Sequence, residues 1–289
     1  MPTIPFYQVD AFTPMSFTGT PFTGNPAGVC LCEVWPDNTA MQAVAAEINL
    51  AETAFVVPPD RDGAAHGLRW FTPTVEVDLC GHATLASAFV LMAHTPGLDT
   101  RALDAVAFDT RSGRLSVTRA GETLSMDFPA YATGAALDPV SYTKALGTHV
   151  REAVRAGPFL LAVCDSPETV AALTPDMAAV SALPDDALGV IATASGDLSA
   201  RRGADRPADF VSRFFAPRAG IPEDPVTGSA HCALAPYWGA RLGQPALLGR
   251  QVSPRGGAVT CHLDGDGPDA RVHLGGACVR VLNGQLYLP

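Results

Sequence analysis

The chain lacks most of the marks that would place it quickly. No apolar run approaches the ~20 residues that span a bilayer, which excludes a helical membrane protein. The start, Met1-Pro2-Thr3-Ile4-Pro5, has neither a basic cluster nor an apolar core, so no secretory leader is expected. There is no Lys/Arg-rich stripe and no interleaving of basic and aromatic residues. With a formal net charge of −10, phosphate backbones are repelled at long range and nucleic acid is excluded as a partner. No G-x-G-x-x-G follows a first strand, so a dinucleotide fold has no support. The seven cysteines are scattered and odd in number, without a C-x-x-C or H-x-x-x-H spacing. A structural zinc, and any other metal, is therefore not expected, and a reducing cytoplasm is the simplest compartment.

What is present is a globular composition and a repeat. The 289 residues, 47% of them hydrophobic, suit two domains that each bury a core. The 27 glycines and 25 prolines point to many turns and short strands. Arg69-Trp70-Phe71-Thr72-Pro73 leads to Cys80-Gly81-His82-Ala83-Thr84. Arg213-Phe214-Phe215-Ala216-Pro217 leads to Asp224-Pro225-Val226-Thr227-Gly228-Ser229-Ala230-His231. Downstream of each comes a basic, glycine-containing segment, beginning at Arg111 and at Arg255. Both pairs are 144 residues apart (213 − 69 and 255 − 111). Self-similarity on this scale predicts two similar domains, with a cleft between them.

Local patterns fill in the halves. Phe6 to Phe12 alternates as a strand, and Gly24 to Gly28 reads as a turn before a strand from Val29 to Cys32. Asp37 or Asn38 caps a helix to about Ile48, stopped by Asn49. Strands follow at Leu50 to Val57 and Leu68 to Thr72, then a small-residue helix from Gly81. A meander covers Leu103 to Phe108, Arg114 to Thr118 and Thr123 to Phe128. Pro129 to Leu137 has no pattern and is the linker candidate. The second half repeats the theme: strands at Phe159 to Cys164, Leu188 to Thr193 and Asp209 to Phe215, and a helix from Pro167 to Leu173. A loop at Ala204 to Pro207, a helix from Gly228 and final strands from Ala258 to Leu288 complete it. Strands around one embedded helix favour an α+β class over a doubly wound parallel sheet.

Four features offer chemistry. Gly81 and Gly228 each open a run of small residues at a helix start, where unpaired N–H groups and the helix dipole bind an anion. His82 and Ser229 add donors beside them. The alternative is close helix–strand packing alone. Glu52 shares a strand face with Leu50, Ala54 and Val56, where a carboxylate is costly unless paired or functional. Partial burial would bring its pKa toward neutrality, as suits a general acid/base; a solvated face or an arginine partner is the competing reading. Asp224, in its Asp-Pro turn, either accepts a hydrogen bond from a substrate or only shapes the turn. Cys80, beside a helix start that would stabilise a thiolate, is a candidate nucleophile or base.

Taken together, Asp10-Ala11-Phe12, Gly24-Asn25-Pro26-Ala27-Gly28-Val29, Glu52-Thr53-Ala54-Phe55, Leu79-Cys80-Gly81-His82-Ala83-Thr84 and the segment from Asp224 to His231 resemble the phenazine-biosynthesis PhzF-like proteins, within the diaminopimelate epimerase-like fold. These segments are ordered and spaced as in that family over nearly the whole chain. The resemblance implies two pseudo-symmetric domains, each a β-barrel-like sheet around a central helix. The expected division is residues 1–130, with 279–289 packing back onto them, and residues 131–278. It implies a catalytic Glu52, assisted by Asp224 and His82, with Gly81, Gly228 and Ser229 binding substrate. In the named member, trans-2,3-dihydro-3-hydroxyanthranilate is isomerised without a cofactor, the glutamate moving a proton between ring carbons. A homodimer and a small carboxylated substrate are implied too. The epimerase branches of the fold use one thiol from each half; here Cys80 is present, but the position near Thr227 is not cysteine. That favours a one-carboxylate isomerase over a racemase or epimerase using Cys80. A non-catalytic binding protein on the same fold is the third reading.

Overall fold

The structure is a computed structural model, and it describes residues 3–14, 19–61, 64–94, 103–183, 186–198 and 206–288. It divides into two compact units, residues 1–127 with 275–289, and residues 128–274. Both boundaries fall inside a strand, so no free linker separates the units.

Unit 1 is a closed barrel of eight strands: β1 (Thr3–Thr13), β2 (Asn25–Leu31), β3 (Glu52–Val57), β4 (His66–Phe71), β6 (Ala105–Thr110), β7 (Gly113–Ala120), β8 (Thr123–Pro129) and β17 (Arg271–Tyr287). They pair in that order and β17 closes onto β1. A short strand, β5 (Glu76–Val77), hangs from β4. Helix α2 (Gly81–His94) packs against β1, β2, β3, β6 and β7 and is buried on nearly every side, so it fills the barrel. An apolar helix of this kind needs a sheet around it, which explains why its sequence shows no polar face. Helix α1 (Asn38–Ile48) lies outside, capped by Asp37, whose carboxylate accepts from the Ala40 N–H, and by Asn49 at φ 52°. Met41, Val44 and Ala45 cover the outer face of the barrel at Phe6, Cys30, Phe55 and Phe71.

The expected turn at 24–28 is shorter than its composition suggested. Gly24 (φ 67°) makes the turn, since a Cβ there would lie 2.3 Å from the Ala11 carbonyl oxygen. The ladder then begins at once, Asn25 opposite Ala11.

Unit 2 strings β9 (Thr133–Leu137), β10 (Val150–Ala156), β11 (Phe159–Cys164), β12 (Gly189–Ser195), β13 (Phe210–Ala216), β15 (Ala246–Gln251) and β16 (Gly257–Asp264) side by side. A short β14 (Ile221–Asp224) hangs from β13. Helix α6 (Gly228–Leu242) packs on β15, β16 and β9, and the Trp238 Nε1–H donates to Thr193 Oγ1 on the inner face of β12 at 3.0 Å. Helices α3 (Pro139–Leu146), α4 (Pro167–Ala171) and α5 (Met177–Ser181) cover the outer face, with Tyr142, Leu146, Val170 and Val180 against Val190, Val211 and Phe215. The patternless stretch at 129–137 is therefore partly strand. Thr133-Gly134-Ala135-Ala136-Leu137 has no alternation to read, and β10 imposes its conformation. In the expected loop at 204–207, residues 204 and 205 lie outside the described residues.

The two units follow the same order of pairing senses. In unit 1, β2–β3 is parallel, β3–β4 antiparallel and β4–β6 parallel; in unit 2, β11–β12, β12–β13 and β13–β15 match them. Strands β4 and β13 start 144 residues apart (210 − 66), as do β7 and β16 (257 − 113).

This explains the repeated Arg-x-Phe. Alternation puts the arginine and the phenylalanine two residues on onto one outward face. Arg69 sits over the Phe71 ring at 5.3 Å and forks onto Glu76 at 2.7 and 2.8 Å. Arg213 sits over Phe215 at 5.0 Å and forks onto Glu223 at 2.7 and 2.8 Å. The repeat in the sequence is a structural clamp, a bidentate ion pair stacked on an aromatic ring. Among the described residues no helix is long and apolar enough to cross a membrane.

Candidate active site

In unit 1, β3 presents Glu52 on the same face as Ala54 and Val56, as alternation required. That face looks into the barrel, where it meets the first turn of α2. Glu52 Oε2 lies 3.2 Å from His82 Nε2; the glutamate side chain is 20% exposed and the histidine 8%. Glu52 thus faces a histidine. Burial pushes the His82 imidazole down from 6.5 to about 4, against a smaller opposing effect of the Pro26 carbonyl. At neutral pH the ring is uncharged, so the contact joins a carboxyl group to a neutral imidazole and is no salt bridge.

The other ring nitrogen is also occupied. Asn25 Nδ2 lies 3.3 Å from Nδ1, and Cys80 Sγ lies 3.5 Å from the same atom. Cys80 and Asn25 are both buried. Thr84 Oγ1 donates back to the Cys80 carbonyl at 2.6 Å and fixes the first turn. Gly81 is half-buried at the helix start.

Donor atoms of Glu52, Cys80 and His82 lie within 4.8 Å of one another, close enough to raise the question of a metal ion. The arrangement fits one poorly. An imidazole nitrogen offers its lone pair in the ring plane, away from the other nitrogen. Cys80 addresses Nδ1 and Glu52 addresses Nε2, so one ion cannot take both close contacts. The thiol and the carboxyl group stand beside different nitrogens of the ring, with the three donor atoms within 4.8 Å of one another.

In unit 2, Asp224 ends β14 and is half-buried. Its carboxylate accepts from the Thr227 hydroxyl. The Asp-Pro turn is held from β15: Gln251 Oε1 accepts from the Thr227 N–H at 2.9 Å, and Gln251 Nε2 donates to the Asp224 carbonyl at 2.6 Å. The Ser253 hydroxyl donates to the Pro225 carbonyl at 2.7 Å. Thr227, the residue before α6, makes no side-chain cap bond to the helix. Its hydroxyl is turned to Asp224 instead, so the first-turn N–H groups at Gly228 and Ser229 gain no cap from it. Gly228 is buried and Ser229 exposed. His231 donates through Nδ1 to the Thr227 carbonyl at 2.8 Å and is likewise pushed by burial to about 4.

Of the residues singled out in the sequence, the structure brings Glu52, His82 and Gly81 together in unit 1, with Cys80. It brings Asp224, Gly228 and Ser229 together in unit 2. Three more were not assigned a role. Asn25 was read only as part of a turn, although a polar residue at the first ladder position beside Pro26 was the available signal. Gln251 and Ser253 act through strand pairing over 24 or more residues, which no local pattern shows.

The model of the phenazine biosynthesis-like protein family matches residues 9–284. The chain belongs to this PhzC–PhzF family. An uncharacterized isomerase of Pseudomonas aeruginosa is 45% identical over 282 residues, 98% of each chain. The crystal structure of a PhzF-family phenazine biosynthesis protein of Enterococcus faecalis is 44% identical, with a TM-score of 0.86 over 99% of this chain and 100% of that one. A predicted epimerase of Pseudomonas aeruginosa, at 24% identity and TM-score 0.71 over 98% and 99% of the two chains, shares the fold. The mixed α+β architecture is thus that of a PhzF-family protein with epimerase-like neighbours.

Proposed function

We propose that this PhzF-family chain is a cofactor-independent isomerase that shifts a proton within a small carboxylated, cyclic substrate. The observation that carries this reading is the Glu52 carboxyl group, one-fifth exposed and 3.2 Å from the neutral His82 ring. The name isomerase carried by a relative of 45% identity supports the reaction class.

Glu52 removes a proton from one carbon and, now a carboxylic acid, returns a proton to another carbon on the same face. The C–H bond broken is matched by the C–H bond made, and the double bond moves between them. His82 stays neutral and steadies the carboxyl group in both states. The first-turn N–H groups of α2 at Gly81 are the proposed holder of negative charge on substrate beside Glu52.

The competing thiol chemistry is weaker on one physical ground. A neighbouring imidazole lowers a thiol's pKa when it is protonated, and burial keeps His82 unprotonated above about 4. At neutral pH no His82 imidazolium therefore stands beside Cys80.

The test is a panel of cyclic and open-chain carboxylates incubated in D2O and followed by NMR for deuterium uptake at carbon. The parent protein is expected to exchange a cyclic member, and Glu52→Gln to lose about 10²–10⁴-fold while still binding it. Exchange at the parental rate in Glu52→Gln, with loss in Cys80→Ser, overturns the assignment.

A further inference from the structure

We propose that Asn25 is a positioning residue: its side-chain amide, backed by Cys80, holds His82 in the tautomer whose single proton sits on Nε2, facing Glu52. The functional consequence rests on Glu52 as the base, but the tautomer itself can be measured without any substrate.

Neutral imidazole has one N–H and one bare nitrogen, and its neighbours decide which is which. Asn25 is fully buried at the first rung of β2, opposite Ala11. Burying an amide is costly unless it is paired. Its Nδ2 lies 3.3 Å from His82 Nδ1, and an amide NH2 can only donate. The Cys80 thiol, 3.5 Å from the same nitrogen, is a second, weaker donor. Both make Nδ1 the acceptor. The proton is left to Nε2, which lies 3.2 Å from Glu52 Oε2 without the alignment of a hydrogen bond between the two atoms. The Pro26 carbonyl is a further acceptor for the ring, its effect smaller than that of burial.

The choice matters for the chemistry. An Nε2–H beside Glu52 favours the ionised carboxylate, which is the form that takes a proton from carbon. The other tautomer would set a lone pair against the carboxylate and favour its protonated form.

The same protein carries its own reference. His231 is buried in the same way, but its Nδ1 meets the Thr227 carbonyl at 2.8 Å. A carbonyl only accepts, so the His231 proton is on Nδ1. Two buried neutral histidines with opposite tautomers should appear in one spectrum.

The experiment is two-bond 1H–15N correlation on the full chain labelled with 15N-histidine, near pH 7.5, with His82→Gln and His231→Gln to assign the signals. The expected result is His82 protonated on Nε2 and His231 on Nδ1. Asn25→Asp keeps the shape but replaces the donor by an acceptor, and should move the His82 proton to Nδ1 while His231 stays unchanged. Deuterium exchange in that variant should fall at least about tenfold. A parent spectrum with His82 protonated on Nδ1 overturns the proposal whether or not the variant folds. A folded Asn25→Asp with the His82 signals unmoved overturns the role of Asn25. If Glu52→Gln is as active as the parent while the tautomers are as stated, the isomerase reading fails and the positioning of His82 stands.

Discussion

At the start of α2 the Thr84 hydroxyl donates to the carbonyl of Cys80, four residues back; at the start of α6 the His231 imidazole does the same to the carbonyl of Thr227. Both helices open on glycine, and both follow a strand carrying an Arg-x-Phe clamp closed by a glutamate. The groups placed around the two starts are nevertheless different. Unit 1 sets a carboxyl group, an imidazole, an amide and a thiol in contact at Glu52, His82, Asn25 and Cys80. Unit 2 sets a carboxylate, a hydroxyl and an amide together at Asp224, Thr227 and Gln251. What recurs is the machinery that holds a helix start still. What differs is the chemistry mounted on it. Units with the same order of pairing senses therefore carry different chemical groups at the starts of their helices.

The clamps give the largest test of that likeness. Both are bidentate, but Arg213 also donates through Nη1 to the carbonyls of Val170, Ala171 and Leu173, the last at 2.6 Å. Arg69 instead reaches Asn38 Oδ1 at 2.9 Å and lies against Trp35. Arg213→Ala should cost about 3–5 kcal/mol, because it strands Glu223 and the carbonyls at the end of α4. Arg69→Ala should cost about 2 kcal/mol, since Asn38 is exposed and water replaces the arginine there. Urea midpoints of the two variants measure the difference. Equal losses would mean the carbonyl contacts of Arg213 add nothing and the clamps are interchangeable.

The two buried histidines come next. Each is held neutral down to about 4, whereas in the unfolded chain each takes a proton near 6.5. The sign follows: stability is full above 6.5 and falls with pH until about 4, because only the unfolded state gains the proton in between. Each ring contributes up to about 3 kcal/mol of acid destabilisation. His66, lowered by burial as well, acts in the same direction. Urea titrations from about pH 7 to about pH 4.5 should show the parent losing stability, and His82→Gln and His231→Gln each losing less of it. If the units unfold in separate transitions, His82→Gln should flatten the pH dependence of one and His231→Gln that of the other. Parallel pH profiles for parent and variants would show that these rings protonate in the fold.

These comparisons also show what the sequence made legible. Asp37 and Asn49 were readable because capping is settled within four residues. The face of Glu52 was readable because strand alternation is local, and the starts of both central helices because glycine followed by small residues is a local pattern. The spacing of 144 gave the correspondence of strands before any coordinates. The clamps hidden in that spacing were not readable: Glu76 and Glu223 lie seven and ten residues beyond their arginines, and only the β4–β5 and β13–β14 hairpins bring them back. Asn25 was lost inside a turn-like string, and β9 had no alternation to betray it. Gln251 reaches Thr227 because β15 runs parallel to β13 and sets Gln251 opposite Ser212. Contacts made through pairing are decided by the whole sheet, and a single sequence does not print them.

The smallest effect bears on the likeness with which the helix starts were compared. The Cys80 carbonyl already accepts the Thr84 N–H at 3.1 Å, so the Thr84 hydroxyl is its second donor. Thr84→Val keeps the branched shape and removes only that hydroxyl, leaving no unpaired donor behind. The cost should be about 1 kcal/mol, the net value of one buried hydrogen bond. Ser87 provides the control: its hydroxyl donates to the Ala83 carbonyl at 2.7 Å, one turn further into α2 and away from the site. If Thr84→Val loses stability and also shifts the His82 nitrogen signals, while Ser87→Ala leaves those signals alone, the bond at the helix start is what holds the Cys80–His82 turn in place. If both variants shift the His82 signals alike, or neither does, the resemblance between Thr84 and His231 is one of geometry without a shared task.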